Sequence, residues 1–208
     1  IIEDIAISYG YKNIAQLEMQ SYTKGKSMEM IDFVNKIREL VVGLGYQEVL
    51  SAILSNKQLQ FEKMSAEEYG SVELKEYVSE RFSSVRSWIL PILMDVLSKN
   101  KHVEYPQKIF EEGLVTLNKK GRLVDCRRIA LASAHADSDY TESRQAIDFI
   151  FRSLDIKYDV VETEHSSFIT GRVGRVIVEG KKVAYIGEIS PEVLKKFDIN
   201  VPVCGFEL

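Results

Sequence analysis

The chain has 208 residues, of which 45% are hydrophobic and 28% are charged, a composition that suits one large globular domain or two small ones. A net charge of −4 and a pI near 5.6 exclude a global positive field that would attract nucleic acid or an anionic membrane. Cys126 and Cys204 fit no metal-ligand spacing and are too few for a disulfide scaffold, so we expect a reducing cytosol. No apolar run approaches the roughly 20 residues of a membrane span, and we expect no signal peptide.

The first part of the chain is predicted to be helical. Residues 1–14 have apolar side chains at helical spacing, and that helix should end near Gly10; a polar linker, residues 20–27, follows. Ser27 is the expected N-cap of a long amphipathic helix over residues 28–44, with Glu29 in its first turn. The apolar stripe of this helix consists of Met30, Phe33, Val34, Ile37, Leu40, Val41 and Leu44. Core packing is the default for such a stripe, and a subunit interface is the alternative.

The middle of the chain is predicted to alternate between strands and helices. Residues 46–54 are expected to form a strand and residues 56–80 a polar surface loop. A second helix should run from Ser87 or Leu90 to Asn100, because Pro91 is tolerated only in a first turn.

The second half has the pattern of a β-rich region joined by tight turns. Asp139 and Glu142 are spaced as a capping box for a third helix, a hairpin should turn at Glu179-Gly180, and Pro191 should open a short helix. The predicted strands are residues 107–118, 127–134, 158–163, the two arms of the hairpin 174–190, and 202–208. Tight turns favour antiparallel pairing, so we predict an α+β fold with helices packed on one face of an antiparallel sheet.

The residues alone indicate no self-sufficient catalytic set. His135, Asp137 and Asp139 alternate before the third helix, and His165 follows later, so a metal site is conceivable; a strand end followed by a helix cap is the favoured interpretation. The stretch TGRVGRV lacks the ending of a phosphate loop and is better explained as a hairpin strand. Ser51, Ser55 and Ser133 would belong to a catalytic triad only by assumption, because no nucleophile elbow surrounds them.

Five stretches in register resemble one family. They begin IIEDIAISYGYKNI, SSVRSWILPILMD, ASAHADSDYTESR, HSSFITGRVGRV and VPVCGFEL, and together they span nearly the whole chain. They resemble the C-terminal half of the phenylalanyl-tRNA synthetase β subunit of archaeal and eukaryotic type. Residues 1–20 would then be the tail of a preceding domain with a linker, and residues 21–208 a class II aminoacyl-tRNA synthetase-like module that is truncated at its C-terminus.

The resemblance implies a non-catalytic module in the cytoplasm. In the family, a catalytic α subunit makes phenylalanyl-adenylate from ATP and charges tRNA(Phe), and the two kinds of subunit pack as an (αβ)2 heterotetramer. Class II sites hold ATP phosphates with an arginine on a sheet strand, but the corresponding strand here, KIFEEGLV, carries Glu111 and Glu112, which should repel triphosphate. Ser190 stands where the family often has His, so no role is transferred to that turn.

The resemblance also implies a magnesium site. The segment before the family's module ends in acids that help to hold Mg2+ at the α-subunit boundary, and Glu3 and Asp4 match the last two of them. The leading acids would precede Ile1, so we expect Glu3 and Asp4 to be solvated in this segment alone and to bind Mg2+ in the intact protein.

Two rival functions remain open at this point. One is a free-standing synthetase-like paralogue that binds a small ligand and regulates a partner enzyme, and the other is an active ligase. If the module is an interface, the pairing region should be Met30 to Leu54, with Val41 at an outward position, and the isolated segment should self-associate through it.

Overall fold

The computed structural model describes residues 1–18 and 23–208, which fall into two compact units, residues 1–32 and 33–208. In the first unit, helix α1 spans Ile2–Tyr9 and ends at Gly10, whose φ of 87° lies in the region that favours glycine. No residue of α1 is buried. The predicted helix end is confirmed, whereas residues 20–22 of the predicted linker lie outside the described residues.

Among the described residues four more α-helices follow, and most of their predicted ends are confirmed. They are α2 (Glu29–Gly43), α3 (Leu90–Lys99), α4 (Tyr140–Ser153) and α5 (Pro191–Lys196). Pro91 lies in the first turn of α3, and the Asp139 carboxylate accepts the Glu142 N–H at 3.0 Å as N-cap of α4. The predicted cap of α2 differs, because Ser27 lies two residues before the helix and its hydroxyl instead donates to the Asp32 carboxylate at 2.6 Å.

The strands form one large sheet and one small sheet. The strands are β1 (Gln47–Glu48), β2 (Leu54–Ser55), β3 (Val72–Glu73), β4 (Ser84–Val85), β5 (Gln107–Lys119), β6 (Arg122–Ala134), β7 (Asp159–Glu162), β8 (Phe168–Val178), β9 (Lys181–Ile189) and β10 (Val203–Glu207). The seven-stranded sheet has the order β1-β5-β6-β10-β9-β8-β7 and is antiparallel except for the β1–β5 pair. The small sheet has the order β2-β4-β3.

Two tight turns join neighbouring strands of the large sheet, and the second confirms the hairpin predicted at Glu179-Gly180. Between β5 and β6, Lys120 and Gly121 have φ values of 54° and 86°. Between β8 and β9, Glu179 and Gly180 have φ values of 49° and 74°, the pattern of a two-residue turn that matches strand twist. The predicted strand over residues 46–54 is wrong as one element, because only its ends pair, as β1 and as the first residue of β2.

Helices cover both faces of the large sheet, so the predicted one-sided packing is wrong. One core cluster joins α3 and α5 to sheet residues such as Ala130 and Ala132. The second cluster joins α4 and Val41 of α2 to the alternate residues of the same strand, Ile129 and Leu131. Successive strand residues point to opposite faces, so β6 is apolar on both sides and needs cover on both. In the described ranges, no helix is long and apolar enough to cross a membrane.

Candidate functional site

A buried ion pair occupies the strand on which a catalytic arginine was sought. The Glu111 side chain on β5 is fully buried, and Arg86 Nη1 donates to its Oε1 at 2.5 Å. The Ser51 hydroxyl donates to Glu111 Oε2 at 2.5 Å, and Arg86 Nε donates to the Leu114 carbonyl at 2.8 Å. The Arg86 guanidinium is bonded to the Glu111 carboxylate inside the protein, so it is not available to bind a phosphate.

The neighbouring acid is also paired. Arg127 Nη1 contacts the Glu112 carboxylate across the β5–β6 ladder. The expectation that Glu111 and Glu112 repel a triphosphate is therefore wrong, because an arginine neutralises each of them. The absence of an arginine from β5 itself agrees with the sequence analysis.

His135 and Asp139 of the conceivable metal site contact Glu142 at the hydrogen-bonded start of α4, whereas His165 lies apart from them in the cleft described below. Glu142 accepts hydrogen bonds from Lys108 Nζ at 2.6 Å and from the Ser133 hydroxyl at 3.0 Å, and His135 Nε2 lies 2.8 Å from its other oxygen. Burial would raise the pKa of Glu142, but these hydrogen bonds outweigh it and lower the pKa. Asp139 caps α4 as favoured, and the part of the chain that the structure describes holds no group of three metal-ligating side chains.

Glu3 and Asp4 lie in the first turn of α1 and are exposed. Their carboxylates are hard oxygen donors, the type that magnesium prefers. Adjacent helix positions point about 100° apart, which suits an ion that keeps several water ligands. Metal binding by Glu3 and Asp4 stays a prediction.

The apolar stripe of α2 divides between core and surface. Val41 is 0% exposed and packs in the second core cluster, so its predicted outward position is wrong. The next residue, Val42, is 55% exposed, and Phe33 is exposed as well. In the segment after the helix, Leu50 is 93% and Ile53 46% exposed. The stripe is thus not wholly buried within its own unit.

A cleft of about 370 Å3 opens over β8, β9 and β10, on the face of the sheet that carries α3. Five aromatic rings line it and contact one another, those of Tyr69, Trp88, His165, Phe168 and Tyr185. His165 is central, with ring centroids 4.5 Å from Tyr185 and 6.2 Å from Trp88, and Tyr69 lies 6.1 Å beyond Trp88. Burial and the charge of Arg175 lower the pKa of His165, so the ring is neutral at pH 7.

Charged residues from four strands, β6, β8, β9 and β10, line this cleft. Glu207 Oε2 accepts the backbone N–H groups of Ile89 and Leu90 at the start of α3, at 2.7 and 2.8 Å, while its Oε1 accepts from Arg128 at 2.9 Å. The guanidinium of Arg175 stacks on the Tyr185 ring, 3.9 Å from its centroid. Sequence reasoning missed this cleft, although it had singled out the arginines of TGRVGRV.

A family comparison identifies the kind of module to which these elements belong. The family model described as the phenylalanyl tRNA synthetase beta chain CLM domain matches residues 15–208. The chain belongs to this family. The match covers the large sheet, both core clusters and the cleft, and it confirms the resemblance inferred from the five stretches.

Curated relatives agree with the family match. The chain is 44% identical to a protein of Pyrococcus abyssi, 43% identical to one of Pyrococcus furiosus and 40% identical to one of Methanococcoides burtonii. Each relative is named phenylalanine–tRNA ligase beta subunit, and each alignment covers 100% of this chain. The chain spans 38% of the length of each of these relatives.

Proposed function

We propose that this chain is the non-catalytic, class II synthetase-like module of a phenylalanine–tRNA ligase beta subunit, and that it holds a catalytic alpha subunit. In this proposal the alpha subunit uses ATP to activate phenylalanine and charge tRNA(Phe), in the cytoplasm, within an (αβ)2 heterotetramer. The family membership and the names of the full-coverage relatives support it. The antiparallel sheet between helices is compatible with a class II-like fold.

The exposed apolar surface around α2 carries the proposal of an interface. Val42, Leu50, Ile53 and Leu54 are all more than one-third exposed, within a stretch of 13 residues. Obligate subunit interfaces bury roughly 2,000 Å2 or more and are largely apolar. A concentration of large apolar side chains on one segment is typical of such a surface.

The buried Arg86–Glu111 pair is evidence that this module has a structural role and not a catalytic one. Stabilising the charge that develops on a transferring phosphoryl group requires preorganised donors that face the substrate. Arg86 is 2% exposed and already bonded to Glu111 and Leu114, so it cannot take this role. A free-standing regulatory paralogue is not favoured, because the full-coverage relatives are longer subunits.

Co-purification tests the interface. The full-length beta subunit, carrying either Val42→Asp or Leu50→Asp, is produced together with the alpha subunit of the same organism. We expect each charge to weaken the complex at least tenfold, because an unpaired carboxylate would be buried against an apolar partner. Leu123→Asp is the matched control, since Leu123 is 60% exposed at the far end of β6. Equal binding by the Leu50 and Leu123 variants would contradict the proposed surface.

We further propose that Glu3 and Asp4 contribute to a Mg2+ site in the intact assembly. Replacing both by Ala in the full-length protein should lower the occupancy of a bound Mg2+ near α1, because loss of ligands or of their supporting shell typically costs 10–100-fold in affinity. Glu29→Ala, in the first turn of α2, is a matched control. Crystals of the variant assembly report the occupancy, and an unchanged ion in the double variant would reduce these acids to solvated surface groups.

A further inference from the structure

The cleft over β8, β9 and β10 contains cationic groups that the protein does not neutralise. The one carboxylate that lines it, on Glu207, is fully used by Arg128 and by the first N–H groups of α3. Within residues 1–18 and 23–208, neither Arg175 nor Lys182 forms an ion pair, and both line the cleft. The Arg175 guanidinium therefore lies in the cleft without a counter-charge, and the exposed Lys182 is at its rim.

Arg175 also has an unused donor. Its Nε is buried and has no hydrogen-bond partner among the described residues. A buried donor without a partner costs about 1–3 kcal/mol of desolvation, so such groups call for a partner. The guanidinium lies over the Tyr185 ring, and its buried Nε–H is available to an acceptor on a ligand.

The remaining polar groups of the cleft are donors as well. The Nδ1 atom of His165 accepts the Ser167 N–H at 3.2 Å, so the proton of the neutral ring is on Nε2. Burial and the Glu207 charge raise the pKa of Tyr69, which keeps its hydroxyl protonated. Donors and cations without a free acceptor select an anionic ligand over a cationic one.

The aromatic lining defines the other half of the ligand. Tyr69, Trp88, His165 and Tyr185 line the cleft and contact one another in sequence, and planar rings pack well against aromatic side chains. A volume of about 370 Å3 lies within the range of small-molecule sites. We propose that this cleft binds a small molecule that joins a planar aromatic ring to a carboxylate or phosphate group.

This binding site goes beyond the interface role and does not depend on the alpha subunit. In this proposal the ring lies against the aromatic residues, the anionic group bonds to Arg175, and Lys182 at the rim attracts the negative charge. An ammonium group on the ligand would find no free carboxylate in the cleft, because Glu207 is already satisfied. Free amino acids are therefore weaker ligands than the corresponding acids without the amine.

Fluorine NMR on the full-length beta subunit tests the site through a signal from Trp88, which lines the cleft. Tryptophan is replaced by 5-fluorotryptophan, and the Trp88 signal is assigned with Trp88→Phe. The probes are 3-phenylpropanoate and AMP, which carry a ring with a carboxylate and a ring with a phosphate, and they distinguish the two sources of the anionic group. We expect at least one of them to shift the Trp88 signal with a Kd below about 1 mM, a modest affinity for a small ligand. Adenosine, 2-phenylethanol and inorganic phosphate should bind at least tenfold more weakly.

Charge removal gives the decisive comparison. Arg175→Gln should weaken the binding of the active probe at least tenfold, and Lys182→Gln, at an exposed position, should weaken it severalfold without affecting folding. Arg122→Gln is the matched control, because Arg122 is exposed at the far end of β6. The proposal is overturned if neither anion shifts the signal at 10 mM, if the uncharged rings bind equally well, or if both charge variants bind like the control.

Discussion

At the scale of single residues, the Arg86–Glu111 pair shows what a linear sequence hides. Glu111 was visible as an acid on a strand, but its partner is 25 residues away, next to the small sheet, so the pairing exists only in the folded chain. The space for the guanidinium comes from Gly113, where an added Cβ would lie 2.2 Å from Arg86 Nη2. A glycine two residues after the acid was the only sequence signal.

Breaking this pair should be costly. In Arg86→Met, the Glu111 carboxylate loses its partner inside the protein, and we expect the free energy of unfolding to fall by about 3–5 kcal/mol. Arg127→Met, which breaks the more exposed pair with Glu112, should cost at most about 1 kcal/mol. Urea denaturation of both variants measures the difference.

The double variant isolates the cause. Adding Glu111→Leu to Arg86→Met removes the uncompensated charge, so the double variant should be more stable than Arg86→Met alone. If the single variant loses less than about 1 kcal/mol, or if the second substitution only adds to the loss, the pair does not have the buried character that the structure shows.

The cleft residues were missed for the same reason. Arg128, Arg175 and Glu207 lie on β6, β8 and β10, and they meet because β10 pairs between β6 and β9. Sequence spacing cannot report a site that non-local strand pairing assembles. The two arginines of TGRVGRV drew notice, but only the fold separates them: Arg172 pairs with Glu188, whereas Arg175 faces the cleft.

At the scale of elements, local chemistry determined most of what was predictable. Gly10 ends α1, Pro91 opens α3, Asp139 caps α4, and Glu179-Gly180 makes the hairpin turn, all as predicted. Each of these signals acts within a few residues, so no tertiary information was needed.

The failures at this scale concern which face an element buries. The seven apolar residues of the α2 stripe cover more than one helix face, so periodicity could not decide that Val41, within the stripe, points to the core and is not outward. The prediction put helices on one side of the sheet only. Consecutive residues of β6 are apolar, which indicates a strand that is buried on both faces. The short strands β1 to β4 pair over two residues each, too few to leave a period in the sequence.

At the scale of the whole molecule, strand order was beyond the sequence. The last strand, β10, lies in the middle of the large sheet and pairs with β6 and β9. Antiparallel pairing of neighbours in sequence predicts the β5–β6 and β8–β9 hairpins, but no local pattern places the C-terminal strand between them. The family, in contrast, was evident from five stretches in register, because a resemblance sums weak signals over the whole chain.

The 208-residue chain on its own is expected to be inactive. Activation of an amino acid needs preorganised positive groups at the α-phosphate. Arg86 is buried and paired, Arg128 is committed to Glu207, and only Arg175 is left without a carboxylate partner among the described arginines that line the cleft. We therefore expect no phenylalanine-dependent exchange of pyrophosphate into ATP by this chain, measured beside the full-length subunit with its alpha partner as the active control. Exchange clearly above a blank without protein would show a complete catalytic site and contradict the supporting role.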